Sequence, residues 1–374
     1  MRISLGVATV LATILAGCAA RQTAPAPTAQ GPTPHTFVYV GTAGGDIQIF
    51  ELDLGLGDLT HRGRQAVGDA PVALAGDHEG HVLVAALARG STVVSFAVDP
   101  KTGALQPRGR AGTGGSDPAR ATLDASGKYA LVTNRGSGNV SVLAIKPDRT
   151  LDTAETFASG KGPVGLTVHP GNQFAFVANL RAGTLSQFTF NSGTGRLTPK
   201  SDATSGMPWD SGPRQVACHP NGRFTYVLNE TNDTISVHAF DDRMASLSHM
   251  AFQVISTLPE GVTDKKNRAG DLQMDPRGLY LYASNTGQDS IASFAINPAT
   301  GGLKLVGHQS TGGKGLEDLA IDPSGKYLVA ANQKSRNITI FRLDERTGVP
   351  GRLADISVPS APRALHIARS MPEL

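Results

Sequence analysis

The chain has 374 residues, 40% of them hydrophobic and 17% charged, with 44 glycines and a formal net charge of +3. That is ample apolar material for a large core, and the glycine content suits many tight turns rather than long surface helices. The small net charge and the lack of any dense Lys/Arg run exclude the electrostatic footprint of a nucleic-acid binder, so no nucleic-acid partner is expected.

The chain opens with "MRISLGVATVLATILAGCAA". A basic residue at Arg2 precedes an apolar run from Ile3 to Ala16 that is too short for a convincing membrane span, so residues 1–17 read as a secretory signal. Leu15-Ala16-Gly17-Cys18 resembles the bacterial lipoprotein signal. That resemblance implies a lipidated Cys18. With Ala19 following, it also implies a lipid anchor in the outer membrane of a Gram-negative cell, facing the periplasm. Residues 18–35 hold the Cys and a Pro/Ala/Thr-rich tether without apolar period. Cys218 is then the only remaining thiol, which rules out an intramolecular disulfide.

From residue 36 to 370 one unit recurs. "DASGKYALVTNRGSGNVSVLAI" (124–145) aligns with "HPGNQFAFVANLRAGTLSQFTF" (169–190) and "HPNGRFTYVLNETNDTISVHAF" (219–240). "DPRGLYLYASNTGQDSIASFAI" (275–296) and "DPSGKYLVAANQKSRNITIFRL" (322–343) follow, with a weaker copy at 77–98 and a half copy at 37–52. Asn134, Asn179, Asn229, Asn285 and Asn332 recur 45 to 56 residues apart, the range of a four-stranded propeller blade. Each unit reads as alternating apolar strands joined by Gly-containing turns, and no stretch carries a sustained helical period. Seven units count out. The first lacks its innermost strand, and "APRALHIAR" (361–369) supplies it, closing the ring and removing a free sheet edge. The expected fold is all-β, a seven-bladed β-propeller of four-stranded blades whose first blade is completed by the C-terminal strand.

The first strand of each blade lines the central channel. Four positions before each turn lie Ala73, Arg120, Gly165, Gln215, Asp271 and Asp318. One position earlier lie Val72, Ala119, Val164, Arg214, Gly270 and Glu317, with Arg363 near that level on the closing strand. Three arginines and three carboxylates are therefore expected around one mouth, where exposed pairs contribute about 0–1 kcal/mol each if they only satisfy each other. Convergent charges of both signs in a concave site also suit an anionic ligand and a general base. His169 and His219 stand where other copies have Asp124, Asp275 and Asp322, so they read as turn caps. Cys218 alternates with apolar residues and reads as core. No metal-ligand spacing, calcium loop, nucleophile elbow or phosphate-cradling glycine loop occurs, so no metal or cofactor is expected.

"YVGT", "GPR…HPNGRFTYVLNE", "ISTLPEG", "TGGLKLVG" and "IDPSGKYLVAANQKSRNITIFRLDERTG" together resemble the lactonase family of seven-bladed propellers, the 6-phosphogluconolactonase and carboxymuconate-cyclising type. The likeness runs from Phe37 to Ile367. It implies a lactone-ring hydrolase acting on a small sugar or carboxylate lactone. Arg214, from Gly-Pro-Arg, would bind the carbonyl oxygen or a substrate carboxylate, and Glu230, from Asn-Glu, would be the general base. Asp271 would assist as acid/base or hydrogen-bond acceptor, with Arg120, Gln215, Glu317 and Arg363 binding substrate. The chain departs from the family pattern at four places. Gly162-Pro163-Val164-Gly165 replaces a Pro-His-x-His stretch, Thr286 replaces an Arg, Asp271 a Glu, and Leu316-Glu317 a Pro-Arg. The lost cations disfavour a phosphorylated substrate. The alternative is a non-catalytic envelope lipoprotein that binds a small anionic ligand or a protein partner through the same mouth. Nothing in the sequence calls for an oligomer, so a monomer is expected.

Overall fold

The computed structural model describes residues 34–200, 211–241, 243–264 and 266–370. The proposed signal and Cys18 lie outside them. Seven antiparallel sheets follow one another along the chain. Blade 1 joins the C-terminal strand Pro362–Ser370 to His35–Thr42, Asp46–Leu52 and Leu59–Ala66. Blades 2, 3 and 4 start from the inner strands Pro71–Gly76, Pro118–Leu123 and Pro163–Val168, and blades 5, 6 and 7 from Pro213–Cys218, Ala269–Met274 and Leu316–Ile321. Each inner strand packs against the next, and Pro362–Ser370 packs against Pro71–Gly76, so the ring closes. The seven-bladed propeller expected from the repeat is the observed fold. Blade 5 differs in detail: its outer edge is split into Ser246–Leu247 and Gln253–Ser256, which pair with opposite ends of Thr234–Asp241.

The core lies between blades, because a four-stranded sheet with two apolar faces must bury both. Phe37, Tyr39 and Ile47 of blade 1 pack on Leu83 and Phe96 of blade 2, and equivalent layers recur around the ring. Tyrosine hydroxyls latch neighbours together. Tyr39 donates to Gly103 O (3.1 Å), Tyr226 to Gly301 O (3.0 Å) and Tyr282 to Gly348 O (2.9 Å), each crossing to the following blade. Gly348 has φ +71°, and a Cβ there would lie 2.2 Å from Tyr280 Cδ1, so the turn needs glycine both for its backbone and for the ring above it.

Four of the five recurrent asparagines are buried hairpin ties, and Asn285 instead donates to Thr257 O (2.8 Å). Asn134 Nδ2 donates to Ser141 Oγ (2.6 Å), Asn179 Nδ2 to Ser186 Oγ (2.8 Å) and Asn332 Nδ2 to Thr339 Oγ1 (3.1 Å). They fix the ends of the second strands at one end of the channel, where the charged residues gather.

Candidate active site

The inner strands all break register at the same point. Pro71 pairs with Leu87 and Ala73 with Ala86, leaving Val72 bulged out. The same shift bulges Ala119, Val164, Arg214, Glu317 and Arg363, and a longer one includes Gly270. A bulge adds an unpaired residue and re-aims its side chain. Seven bulges therefore make a rim with a split character: Val72, Ala119 and Val164 on blades 2 to 4, and Arg214, Gly270, Glu317 and Arg363 on blades 5, 6, 7 and 1.

Arg214 and Glu230 meet as expected. Pro213 pairs with Asn229 at one end of the antiparallel pair, where Arg214 bulges out just inside that end and Glu230 follows just beyond it, opposite Gly212. Arg214 Nη1 donates to Glu230 Oε2 at 2.7 Å, and Arg214 Nε to Gly270 O at 3.3 Å. Both side chains remain partly open, 34% and 20% exposed. No described residue donates to Glu230 Oε1, so one carboxylate oxygen is fixed while the other retains its lone pairs for a water.

One residue deeper lies a buried charged cluster. Arg120 reaches from blade 3 across the channel, and its Nη1 lies 3.4 Å from both Asp271 Oδ1 and Asp318 Oδ1. Asp271 also accepts from Gln215 Nε2 (3.0 Å), Gln273 Nε2 (3.0 Å) and the Leu319 amide (3.1 Å). Asp318 accepts from the Leu365 amide at 2.7 Å. Their side chains are only 3% and 10% exposed.

Two carboxylates this close to one guanidinium do not both ionise. Burial alone would raise Asp271, but the charge of Arg120 and hydrogen bonds from Asp318, Gln273 and Gln215 outweigh it and bring its pKa down to about 2. Burial and the negative charge of Asp271 push Asp318 well above the usual carboxylate range, against the pull of Arg120. These opposite directions favour the shared proton on Asp318, with Asp271 ionised beside Arg120. Asp271 is thus a satisfied hydrogen-bond acceptor that fixes Arg120.

Glu317 and Arg363 lie on the neighbouring rim bulges. Glu317 forms no hydrogen bond or ion pair with any described residue, although Arg214, Arg363 and Arg135 are close enough to act on it electrostatically. Burial raises its pKa and those three cations oppose the rise. Arg363 Nε is buried and has no hydrogen-bond partner.

Arg135 was not anticipated. It follows Asn134 as Glu230 follows Asn229, so the register of the repeat could have flagged it. Its side chain is clamped by Asp117, through Nε to Oδ2 (2.7 Å) and Nη2 to Oδ1 (3.0 Å).

The turn histidines are caps, as read. His219 Nδ1 accepts from the Asn221 amide (3.1 Å) and its Nε2 donates to Gly278 O (3.0 Å), which leaves neither ring nitrogen free. His169 is used in the same way with Gly171 and Gly222. Cys218 is free, packs beside Phe174 and Phe240, and has its thiol pushed up to about 12 by burial. Gly165, in the stretch without the family's imidazole, has no room for a side chain, because a Cβ there would lie 2.4 Å from Arg214 O. Among the described residues, one group with metal-ligand potential occurs, Asp77, Glu79 and His81. It lies at the far end of the blade 2 inner strand, away from this mouth.

The chain resembles a 6-phosphogluconolactonase of Formosa agariphila, 31% identical over 239 residues, which are 59% of this chain and 65% of that protein. A 6-phosphogluconolactonase of Bacillus subtilis is 28% identical over 230 residues, 59% of this chain and 64% of that protein. The chain therefore spans just under two thirds of the length of these relatives. The solved structure of a periplasmic gluconolactonase of Pseudomonas aeruginosa shares the fold, with a TM-score of 0.79 and 24% identity over 89% of this chain and 99% of that one. The family model for "Lactonase, 7-bladed beta-propeller" matches residues 37–365, nearly the whole described domain. The chain belongs to the seven-bladed β-propeller lactonase family.

Proposed function

We propose that this protein hydrolyses a small lactone at the charged mouth of the channel, and that the Arg214–Glu230 pair carries the reaction. Ring opening needs a water aimed at the ester carbonyl and a donor for the oxyanion that forms. Glu230 supplies the base through its unengaged Oε1, while Arg214 Nη1 holds the other oxygen. The remaining Arg214 donors face the same space and bind the carbonyl oxygen. Asp271, itself held by Gln215, and Asp318 fix Arg120 beneath them, and Arg120, 27% exposed, offers a second cationic donor from below. Proton removal by a positioned carboxylate contributes about 10²–10⁴-fold to such a rate.

The signal-like N-terminus and Cys18 support an exported, lipid-anchored enzyme of the cell envelope. The periplasmic naming of the Pseudomonas neighbour agrees with that reading. Family relatives named for 6-phosphogluconolactone hydrolysis support the reaction class.

The competing reading, a binding propeller without catalysis, is favoured by one observation: Gly162-Pro163-Val164-Gly165 holds no imidazole where the family stretch carries Pro-His-x-His. Proton release from gluconolactone, compared with the spontaneous rate, separates the two. Acceleration that disappears in Arg214→Gln and Glu230→Gln supports catalysis. Binding of the lactone without acceleration supports the alternative.

A further inference from the structure

The rim carries one acceptor and one donor that the fold leaves unsatisfied, side by side. Glu317 and Arg363 occupy equivalent bulges on blades 7 and 1, whose inner strands pack directly together and are tied by the Leu365 amide on Asp318. Glu317 accepts nothing from a described residue, and the buried Arg363 Nε donates to nothing. Buried polar groups ordinarily find partners, and the cost of leaving them unmade is large. Of the two, Arg363 Nε is such a buried exception, and Glu317 is half-buried beside it at the site already assigned to a ligand.

The other charges of the mouth are spoken for. Glu230 holds Arg214, and Asp117 holds Arg135 through two bonds. Asp271, sharing the proton held by Asp318, balances Arg120. Glu317 and Arg363 then cancel as the last of these pairs, so the four pairs together offer a dianion no net positive charge. A phosphate arriving here meets Arg363, but it also meets Glu317 at comparable range. Repulsion between like charges in a partly buried site of effective dielectric about 20 costs at least about tenfold in affinity. A hydroxyl group, by contrast, donates and accepts through one oxygen. Adjacent hydroxyls on a sugar ring satisfy Glu317 and Arg363 together.

We propose that Glu317 and Arg363 form the specificity-determining pair of this mouth, selecting an uncharged polyhydroxylated lactone and rejecting its phosphorylated counterpart. The proposal rests on the reading of the mouth as the lactone site, but its test does not depend on turnover. Glu317 contributes an acceptor for hydroxyl groups and the repulsion that excludes phosphate. Arg363 contributes the donor.

The test is calorimetric binding of two stable probes to the purified protein: glucono-δ-lactam, which is uncharged and not hydrolysed by a lactonase, and 6-phosphogluconate, with gluconate as the control that carries the same carboxylate without the phosphate. The wild-type protein is expected to prefer the lactam. In Glu317→Gln the lactam should weaken severalfold and 6-phosphogluconate should tighten about tenfold or more. Because no described residue hydrogen-bonds to Glu317, the isosteric substitution should move the thermal midpoint by only a few degrees, and the fold should survive it. Charge reversal in Glu317→Arg should raise phosphate affinity further. A wild-type preference for 6-phosphogluconate, an unchanged preference in Glu317→Gln, or no binding of either probe would overturn the proposal. Lactam binding with the expected switch, in a protein that fails to hydrolyse gluconolactone, would uphold the specificity pair and reject the lactonase activity alone.

Discussion

The buried pair Asp271 and Asp318 makes opposite predictions for the same chemical change. Replacing Asp271 with Asn removes the ionised partner of Arg120, 3.4 Å away, and weakens acceptance from Gln215, Gln273 and the Leu319 amide. Lowering the Asp271 pKa from 3.8 to about 2 corresponds to about 2 kcal/mol of stability. This is a depressed carboxylate, so the contribution is present above about pH 4 and is lost as pH falls through about 2. Breaking a buried ion pair outright costs about 3–5 kcal/mol, so Asp271→Asn should destabilise the protein by roughly 2–5 kcal/mol at pH 7.

Asp318→Asn should cost about 1 kcal/mol, less than Asp271→Asn, because the amide N–H replaces the proton of Asp318 although its nitrogen no longer accepts from Arg120. The sign of its pH dependence is reversed. A raised carboxylate contributes stability that is full below its unfolded value of 3.8 and is lost as pH rises through the folded one. Asp318→Asn removes that loss, so its stability should fall less than wild type toward alkaline pH. Thermal unfolding followed by circular dichroism reads both effects. A midpoint lowered by roughly 3–8 °C is expected for Asp271→Asn, and a smaller drop for Asp318→Asn. Equal destabilisation by the two substitutions would refute the assignment of the proton to Asp318.

Two further outcomes test how the fold holds the mouth. Gly165→Ala places a Cβ 2.4 Å from Arg214 O and 2.8 Å from Gln215 Cα, both backbone atoms, so strain of about 1–3 kcal/mol is expected. The lower thermal midpoint should come with weaker lactone binding, since Arg214 itself must move. Tyr282→Phe removes the inter-blade bond to Gly348 O and should cost about 1 kcal/mol without altering the mouth, a difference urea titration can resolve.

The fold was legible because every blade repeats the same local problem. In most copies an Asp or His caps the turn, a glycine clears an aromatic ring and an Asn closes the second strand, so the pattern survives even in the weaker first two copies. Blade closure was legible for the same reason, since the first copy lacks its inner strand. The Arg214–Glu230 pair was legible as two motif positions on hydrogen-bonded neighbours. The bulges supplied the physical basis for the rim alignment, which sequence had given only as an offset from the turn. Arg120 was harder. Its partners lie on blades 6 and 7, and only a side chain spanning the channel reveals that one nitrogen serves both carboxylates. Arg135 escaped because its neighbours in the alignment, Leu180, Glu230, Thr286 and Gln333, share no chemistry. The split outer edge of blade 5 likewise left no turn signal distinct from an ordinary loop.

The most direct test of the central claim is the rate of proton release from gluconolactone with wild-type protein and with Glu230→Gln, both shown to unfold at similar temperatures. The account predicts acceleration over the spontaneous rate that falls by about 10²-fold or more in the variant. Undiminished hydrolysis by a folded Glu230→Gln protein would contradict it.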